Sequence, residues 1–232
     1  MKQKLFFCLN SLCLIIFGFY GCADVPSSAP EFPDFRTQTR IIHAASDLGE
    51  VDVIVQPTVG ADFTSLGSLS FQGNTDYLDI PAGNRVFALR SGGTIIDSSS
   101  IALESDGKLT LLLLPKAKAN EPRFKLFKER RIFDPLPVMV GQVRFINAVM
   151  NAEGFNVVNA SDSSNVAKSL NFATSSGYLS FQAGSFTFNI VNSNEETVGS
   201  AQISLSEGQR FTVVIFGDIN NLTVKVFQDD PL

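Results

Sequence analysis

A seven-residue motif that occurs twice constrains the fold of this chain more than any other feature. Tyr77 to Gly83 read YLDIPAG, and Tyr178 to Gly184, 101 residues further on, read YLSFQAG. Tyr, Leu, Ala and Gly keep their places in both copies. Four more pairs of segments recur in the same order at offsets of 102 to 104 residues: Thr39 to Ala44 with Gln142 to Ala148, Val51 to Ile54 with Phe155 to Val158, Ile101 to Leu103 with Ile203 to Leu205, and Leu109 to Leu114 with Phe211 to Phe216. The chain therefore consists of two copies of one module.

Short runs of alternating apolar and polar residues, separated by turn signals, predict that each module is built from β-strands. Gly92-Gly93 is typical of a β-hairpin turn, and Pro81-Ala82-Gly83 is typical of a tight turn. The run from Leu109 to Leu114 is too short to span a membrane and predicts a central strand covered on both faces. Each copy holds about seven or eight such strands, which favours an all-β fold with two tandem β-sandwiches.

Composition and charge exclude one broad class of function. The chain is 44% hydrophobic, which is enough for a real core, and its formal net charge is −5. Removal of Lys2 and Lys4 with a leader would make the charge more negative still. Nucleic-acid binding requires a concentrated positive surface, so we expect no nucleic-acid partner.

The N-terminus has the pattern of an export signal. Lys2 and Lys4 precede a short apolar run, and residues 1–21 are predicted to be a signal peptide. The pair Gly21-Cys22 resembles the lipobox of bacterial lipoproteins, which implies cleavage before Cys22 and attachment of lipid to its thiol. An ordinary secretory signal and an uncleaved anchor remain alternatives.

The segment after the signal predicts a tether. Residues 22–37 comprise the lipidated Cys22 and a stretch that contains Pro26, Pro30 and Pro33. Such a segment is extended and would hold the body about 40 Å from a membrane. We therefore expect a lipid-anchored protein of the bacterial cell envelope. Ala23, rather than Asp, follows the cysteine, which favours the outer membrane.

The domain boundaries follow from the repeat. We predict a first β-sandwich at residues 38–133, a linker at 134–140 and a second β-sandwich at 141–232. The three cysteines, Cys8, Cys13 and Cys22, all lie before the first sandwich. The predicted domains can therefore hold neither a thiol nucleophile nor a cysteine zinc site.

The motifs also resemble a known family. Members of the family called domain of unknown function 4397 open with an Arg-Val-hydrophobic-His-Ala-Ser-Pro-Asp-like stretch, followed by a Val-Asp-Val strand and a Tyr-x-x-x-Pro-Ala-Gly turn. Residues 40–47, 51–53 and 77–83 match these elements, although Ala45-Ser46 stands where Ser-Pro is usual. The second copy is more divergent and has Asn147 in place of His43. The resemblance implies an immunoglobulin-like or transthyretin-like sandwich and a secreted or lipid-anchored protein, but no activity.

Several polar residues were candidates for chemistry. His43 is the only histidine, and a structural role is favoured because its counterpart Asn147 cannot act as a base. Asp47, Glu50 and Asp52 could supply oxygen ligands to calcium, but a solvated turn is favoured. We therefore predict no catalytic, cofactor-binding or metal site.

Two groups of charged residues predict surface roles. Seven basic residues could form a patch that binds anionic lipid or glycan: Lys116, Lys118, Arg123, Lys125, Lys128, Arg130 and Arg131. The favoured interpretation is instead a closing strand from Arg123 to Lys128 whose polar face lies in solvent. Glu129 dilutes this charge. Asp218 with its neighbours is interpreted as a turn, and Asp229 with Asp230 as part of the tail.

These observations favour a lipid-anchored envelope protein whose two non-catalytic modules bind or scaffold an envelope protein or a glycan. The alternatives are a glycan-binding accessory lipoprotein of a surface uptake system and a hydrolase. Tyr77 and Tyr178 are expected to pack through their rings and to form local hydrogen bonds. Function is expected in loops that differ between the copies: Pro57 to Ser65 against Ala160 to Ala167, and Pro115 to Pro122 against Gly217 to Asn221.

Overall fold

The computed structural model describes residues 34–58, 60–116, 118, 120–132, 134–135 and 138–229. This part of the chain contains sixteen strands: β1 (Arg36–His43), β2 (Val51–Gln56), β3 (Thr64–Leu69), β4 (Leu78–Pro81), β5 (Gly83–Ser91), β6 (Thr94–Leu103), β7 (Gly107–Leu113), β8 (Phe124–Arg131), β9 (Gly141–Asn147), β10 (Phe155–Asn159), β11 (Asn165–Leu170), β12 (Thr174–Phe181), β13 (Gly184–Val191), β14 (Thr197–Leu205), β15 (Arg210–Asp218) and β16 (Asn221–Gln228). The predicted all-β class is confirmed. No helix in the described residues is long and apolar enough to cross a bilayer.

Strands β1 to β8 form the first sandwich. One sheet has the order β4-β1-β7-β8 and the other has the order β3-β2-β5-β6. All neighbours are antiparallel except β1 and β7, which run parallel. A parallel pair needs a long crossover connection, which strands β2 to β6 supply here.

Strands β9 to β16 repeat this topology in the second sandwich. Its sheets have the orders β12-β9-β15-β16 and β11-β10-β13-β14, and β9 runs parallel to β15. The pairing register of equivalent strands is also the same in the two sandwiches, since Gly83 lies opposite Leu103 and the equivalent Gly184 lies opposite Leu205. The duplication predicted from the sequence is therefore present in the fold, and two tandem β-sandwiches are confirmed.

A pair of glycines with a left-handed backbone forms the turn between β5 and β6. Gly92 and Gly93 have φ values of +55° and +82° and connect β5 to β6, with Ser91 paired to Thr94. Two positive φ values in a two-residue loop match the twist of the flanking strands. The predicted hairpin is confirmed.

Each sandwich encloses its own apolar core, to which both of its sheets contribute. In the first, Phe87 and Phe124 lie 5.9 Å apart between ring centroids, and in the second Phe145 and Phe188 lie 5.1 Å apart. The buried core residues of the first sandwich include Ile41, Val53, Leu89, Leu109, Leu111 and Leu113, and those of the second include Val143, Val157, Ile190, Ile203, Val213 and Ile215.

Strand β7 is buried along its whole length, as the sequence predicted. Leu109, Leu111 and Leu113 point into the core of the first sandwich. Lys108, Thr110 and Leu112 alternate with them and are also buried. A second layer must therefore cover the outer face of this sheet.

Candidate functional site: the polar network between the sandwiches

The outer faces of the sheets that contain β7 and β15 pack against each other. Both sandwiches belong to one compact unit, Phe35–Leu232. Phe71 and Phe216, from different sandwiches, meet edge to face with ring centroids 6.2 Å apart. The shared apolar layer contains Ile42, Ala44, Leu112, Leu114 and Phe127 of the first sandwich and Ile146, Ala148, Val214 and Phe216 of the second.

Two arginines cross this interface at its polar centre. Arg40 of β1 forms an ion pair with Asp229, and its Nη1 donates a 3.0 Å hydrogen bond to the carbonyl oxygen of Gln228. Arg144 of β9 reaches the opposite way and donates a 3.0 Å hydrogen bond to the carbonyl oxygen of Lys128. Each sandwich therefore sends an arginine to the last strand of the other.

Two carboxylates balance these two cations. The Oε1 of Glu129, at the end of β8, lies 3.6 Å from Nη2 of Arg40 and 3.8 Å from Nη2 of Arg144. The side chains of Glu129 and Asp229 are both 0% exposed. Leaving any one of these buried charges without its partners would be costly, which makes the four groups interdependent.

Threonine hydroxyls link the charges into one network. Thr110 accepts hydrogen bonds from Arg40 (3.1 Å) and Arg144 (3.3 Å) and donates to Glu129. Thr212 accepts from Nη2 of Arg144 at 2.7 Å and donates to Asp229 at 2.8 Å. These bonds satisfy buried groups that would otherwise lose their hydration.

The two tyrosines of the repeated motif complete the network. The hydroxyl of Tyr77 donates to Glu129 and that of Tyr178 donates to Asp229, each at 2.7 Å. Their rings lie 5.1 and 4.8 Å from the guanidinium carbons of Arg40 and Arg144, respectively, within cation–π range. The prediction of local hydrogen bonds was wrong, because the partners are 52 and 51 residues away in the chain: Glu129 lies on β8, and Asp229 directly follows β16.

Every member of the network has a counterpart in the other copy of the module. The pairs are Arg40 with Arg144, Tyr77 with Tyr178, Thr110 with Thr212 and Glu129 with Asp229. Lys108 corresponds to Arg210, and these two cations lie 4.2 and 4.7 Å from the ring centroids of Tyr77 and Tyr178, respectively. Each copy of the module therefore contributes the same surface to the interface, as the two subunits of a two-fold symmetric dimer do. Here both halves belong to one chain.

Burial sets the protonation behaviour of the network. Burial, and then the charge of Asp229, raise the pKa of Glu129, while Arg40 and Arg144 act in the opposite direction. Burial also raises the pKa of Tyr77 and Tyr178 far above the usual tyrosine value, which keeps both hydroxyls protonated as donors. Burial acts to lower the pKa of Arg40, but Asp229, Tyr77 and Glu129 together raise it above its ordinary value. Tyr77 and Tyr178 therefore act as hydrogen-bond donors to the two buried carboxylates.

His43 and Asn147 each accept a hydrogen bond from the backbone amide two residues further on. The Nδ1 of His43 accepts from the amide of Ala45 at 3.2 Å, and Nε2 lies 2.8 Å from the carbonyl oxygen of Gly49. In the second copy, Oδ1 of Asn147 accepts from the amide of Val149 at 2.8 Å, and Nδ2 donates to a backbone carbonyl at 2.9 Å. Burial lowers the pKa of His43, which favours the neutral ring. This geometry fits the structural role that the sequence favoured.

The structure separates the acidic residues considered as calcium ligands. Asp47 pairs with Arg123, with 2.9 Å between Oδ2 and Nη1, whereas Asp52 bonds Ser68 and Arg90. No group of three or more His, Cys, Asp and Glu side chains within the described residues is placed to hold a metal ion. The favoured interpretation of a turn agrees with this placement.

The seven basic residues do not act as one group. Lys116 and Arg123 pair with Asp97, at 2.5 and 3.3 Å, and Lys128 pairs with Glu104. The closing strand β8 extends to Arg131, further than predicted. Its residue Glu129 is buried and does not dilute surface charge, so that interpretation was wrong.

Sequence reasoning missed the interface. Asp229 was interpreted as part of the tail, but it lies buried at the centre of the network. A signal was present, because Arg40 and Arg144 each interrupt an apolar strand at equivalent positions of the repeat. The predicted lipid site Cys22, together with Leu136 and Pro137 of the predicted linker, lies outside the described residues.

Comparison with known proteins identifies the family. The chain belongs to the family described as domain of unknown function (DUF4397), whose model matches residues 37–132 and 141–232. This confirms the resemblance derived from the motifs. A comparison with curated proteins found no matching relative.

Several solved structures are distantly similar. An α-glucan-binding streptococcal virulence factor is 14% identical, with a TM-score of 0.26, over 81% of this chain and 95% of its own. The CBMbc module from Eubacterium rectale Amy13K, in complex with maltoheptaose, is 9% identical, with a TM-score of 0.27, over 84% of this chain and 98% of its own. The tip fimbrial protein Mfa3 from Porphyromonas gingivalis is 11% identical, with a TM-score of 0.25, over 85% of this chain and 100% of its own. At such low identities and TM-scores, none of these likenesses bears on the ligand of this chain.

Proposed function

We propose that the chain is a lipid-anchored protein of the bacterial cell envelope whose two sandwiches form one rigid, non-catalytic module that binds or scaffolds an envelope component. The observation that carries this proposal is the buried network of Arg40, Arg144, Glu129 and Asp229. Its charges are neutralised and shielded from solvent, and its tyrosines are held as hydrogen-bond donors. The network supports a role in fixing the geometry of the two sandwiches.

Exposed apolar side chains at the ends of the sandwiches offer a surface for a partner. Ile95 and Ile96, beside the β5–β6 turn, are 48% and 45% exposed, and Ile219, in the β15–β16 turn, is 47% exposed. Loops that carry exposed apolar side chains on a rigid sandwich are common binding surfaces. This arrangement favours recognition over catalysis.

Membrane attachment is supported by the sequence of the N-terminus. Gly21-Cys22 ends an apolar signal, and the segment that follows is rich in proline. A lipid with two or three acyl chains gives stable membrane attachment. The outer membrane is the proposed location.

Metabolic labelling with an alkyne fatty acid tests the lipid anchor. Cys13, a cysteine within the signal peptide, provides the matched control position. The natural chain and Cys13→Ser should incorporate the label and remain with the membrane fraction, because Cys13 is removed with the signal. Cys22→Ser should lose the label. Label retained by Cys22→Ser, or lost from Cys13→Ser alone, would contradict the proposed attachment.

Photo-crosslinking in intact cells tests the binding role. A photoreactive amino acid is placed at Ile95 or Ile219, and Ser100 on the exposed edge strand β6 serves as the control position. Ile95, at the start of β6 beside the turn, and Ile219, in the β15–β16 turn, should give discrete adducts that Ser100, in the middle of β6, lacks. If neither end position gives an adduct, the proposal that the ends of the sandwiches bind an envelope component is wrong.

A further inference from the structure

The loop ends of the two sandwiches differ although their strands keep the same register. In the first sandwich, charges tie the loops together. Arg123 pairs with Asp47 at 2.9 Å and with Asp97 at 3.3 Å, and Lys116 pairs with Asp97 at 2.5 Å. The β1–β2 and β7–β8 connections are therefore clamped to each other and to strand β6 near its start.

The second sandwich lacks the residues that make this clamp. Asp97 lies opposite Leu89, and Gly199 lies opposite the equivalent Ile190. The amide of Leu114 donates to the carbonyl oxygen of Arg123. In the second sandwich Thr223 lies opposite Phe216, the counterpart of Leu114, so threonine takes the place of arginine. The remaining positions follow from the repeat offset, by which Asn151 replaces Asp47 and Asp218 replaces Lys116.

A groove of about 360 Å³ lies between the loops at this end of the second sandwich. It is formed by the β9–β10, β13–β14 and β15–β16 connections, through residues that include Asn151, Glu153, Asn192, Asn194 and Ile219. The volume falls within the range of small-molecule sites.

The groove is lined mainly by uncharged polar groups. Asn192 supports its wall, because its Oδ1 accepts from the amides of Asn194 (3.0 Å) and Glu196 (2.9 Å), while its Nδ2 donates to the Glu196 carboxylate (2.9 Å). The side chains of Asn151 and Asn194 are exposed to solvent. None of the described residues that line the groove is basic, and Glu153 is the one acidic residue among them.

We infer that this groove binds a neutral oligosaccharide. An asparagine amide offers both a donor and an acceptor, which matches the hydroxyl groups of a sugar. The exposed Ile219 side chain provides an apolar surface for the C–H face of a sugar ring. The carboxylate of Glu153 accepts from hydroxyls and disfavours an anionic ligand. This inference rests on the proposed binding function and names the ligand class of one loop end.

Titration calorimetry with the mature full-length protein in detergent micelles tests the inference. The neutral probes are cellohexaose, maltohexaose and mannohexaose, and the charged probes are a hexamer of galacturonate and a hexalysine peptide. At least one neutral probe should bind. The double variant Asn151→Ala with Asn194→Ala should weaken that binding about tenfold or more, because two sets of hydrogen bonds are lost.

A matched variant separates the groove from the loop as a whole. Asn220 lies beside Ile219 but does not line the groove, so Asn220→Ala should bind like the natural protein. Unfolding curves of all variants report whether the fold is intact. The inference would be overturned if no neutral probe binds or if only a charged probe binds. It would also be overturned if the double variant binds the neutral probe as tightly as the natural protein does. Fatty-acid labelling at Cys22 and crosslinking at Ile95 do not depend on the groove, so failure here would leave the proposed function standing.

Discussion

Arg40 and Asp229 stand 189 residues apart in the chain and form a buried ion pair between the two sandwiches. Their counterparts, Arg144 and Glu129, lie in the same network, with 3.8 Å between Nη2 and Oε1. The duplicated module thus contacts its own copy through equivalent surfaces. This arrangement makes the stability of each sandwich depend on the other.

Removal of one arginine should destabilise the whole chain. Arg40→Ala leaves Asp229 without its cation, and breaking a buried pair in this way costs about 3–5 kcal/mol of unfolding free energy. Arg36→Ala removes a pair to Asp79 whose side chains are 38% and 62% exposed, and it should cost about 1 kcal/mol or less. Urea unfolding followed by circular dichroism measures both, and equal costs would contradict the structural role of Arg40.

Glu129 should make stability fall as pH rises. Burial and the charge of Asp229 raise its pKa in the folded state, so between the ordinary glutamate pKa and this raised value the folded chain holds a proton that the unfolded chain has lost. The stability that Glu129 contributes is present below the ordinary pKa and is lost as pH rises through the raised one. Glu129→Gln lacks this dependence, so the stability of the natural protein relative to the variant should decrease across that window. A relative stability that increases with pH would show that the pKa is instead depressed.

His43 should have the opposite pH dependence. Burial lowers its pKa in the folded state, so on acidification the unfolded chain takes up a proton before the folded chain does. Its contribution to stability is present above the ordinary histidine pKa and is lost as pH falls through the lowered value.

Asparagine should replace His43 better than alanine does. His43→Asn can restore the acceptor for the Ala45 amide, as Asn147 accepts from the Val149 amide in the second sandwich, and should reduce the pH dependence. His43→Ala leaves the Ala45 amide without its acceptor and should cost about 1–3 kcal/mol more than His43→Asn. Urea unfolding over a pH series compares the three proteins. Equal stability of the two variants would contradict the proposed hydrogen-bonding role.

The two sandwiches should unfold together. Phe216 is fully buried in the layer between them, and Phe216→Ala should cost about 3–5 kcal/mol. Val226, which is 36% exposed, provides a control whose replacement by alanine should have a small effect. Differential scanning calorimetry should show one transition for the natural protein, and Phe216→Ala should lower its midpoint. Two separate transitions in the natural protein would show that the sandwiches are independent.

The local structure could be predicted because it depends on near neighbours in the sequence. Gly92-Gly93 determines a hairpin through backbone conformation alone, and the repeat of Tyr77 at Tyr178 reports the duplication directly. Burial of β7 on both faces also followed from its run of leucines, which only Thr110 interrupts. These features need no knowledge of how the sandwiches pack.

The interface could not be predicted in the same way, because its partners come from distant strands. Glu129 and Asp229 stand in polar segments, and nothing nearby in the sequence distinguishes them from surface carboxylates. Their burial arises only when the outer faces of two sheets meet. The end-loop groove likewise depends on three connections that the fold brings together.

The fixed orientation of the two sandwiches is most directly tested by a distance measurement between them. The three cysteines lie before the sandwiches, so replacing Cys8, Cys13 and Cys22 by serine allows spin labels to be placed selectively at Ser100→Cys and Gln202→Cys, equivalent exposed positions on β6 and β14. Pulsed electron paramagnetic resonance should give one narrow distance distribution, and adding Arg40→Ala should broaden it. A broad distribution in the protein with an intact network would contradict the rigid two-sandwich module.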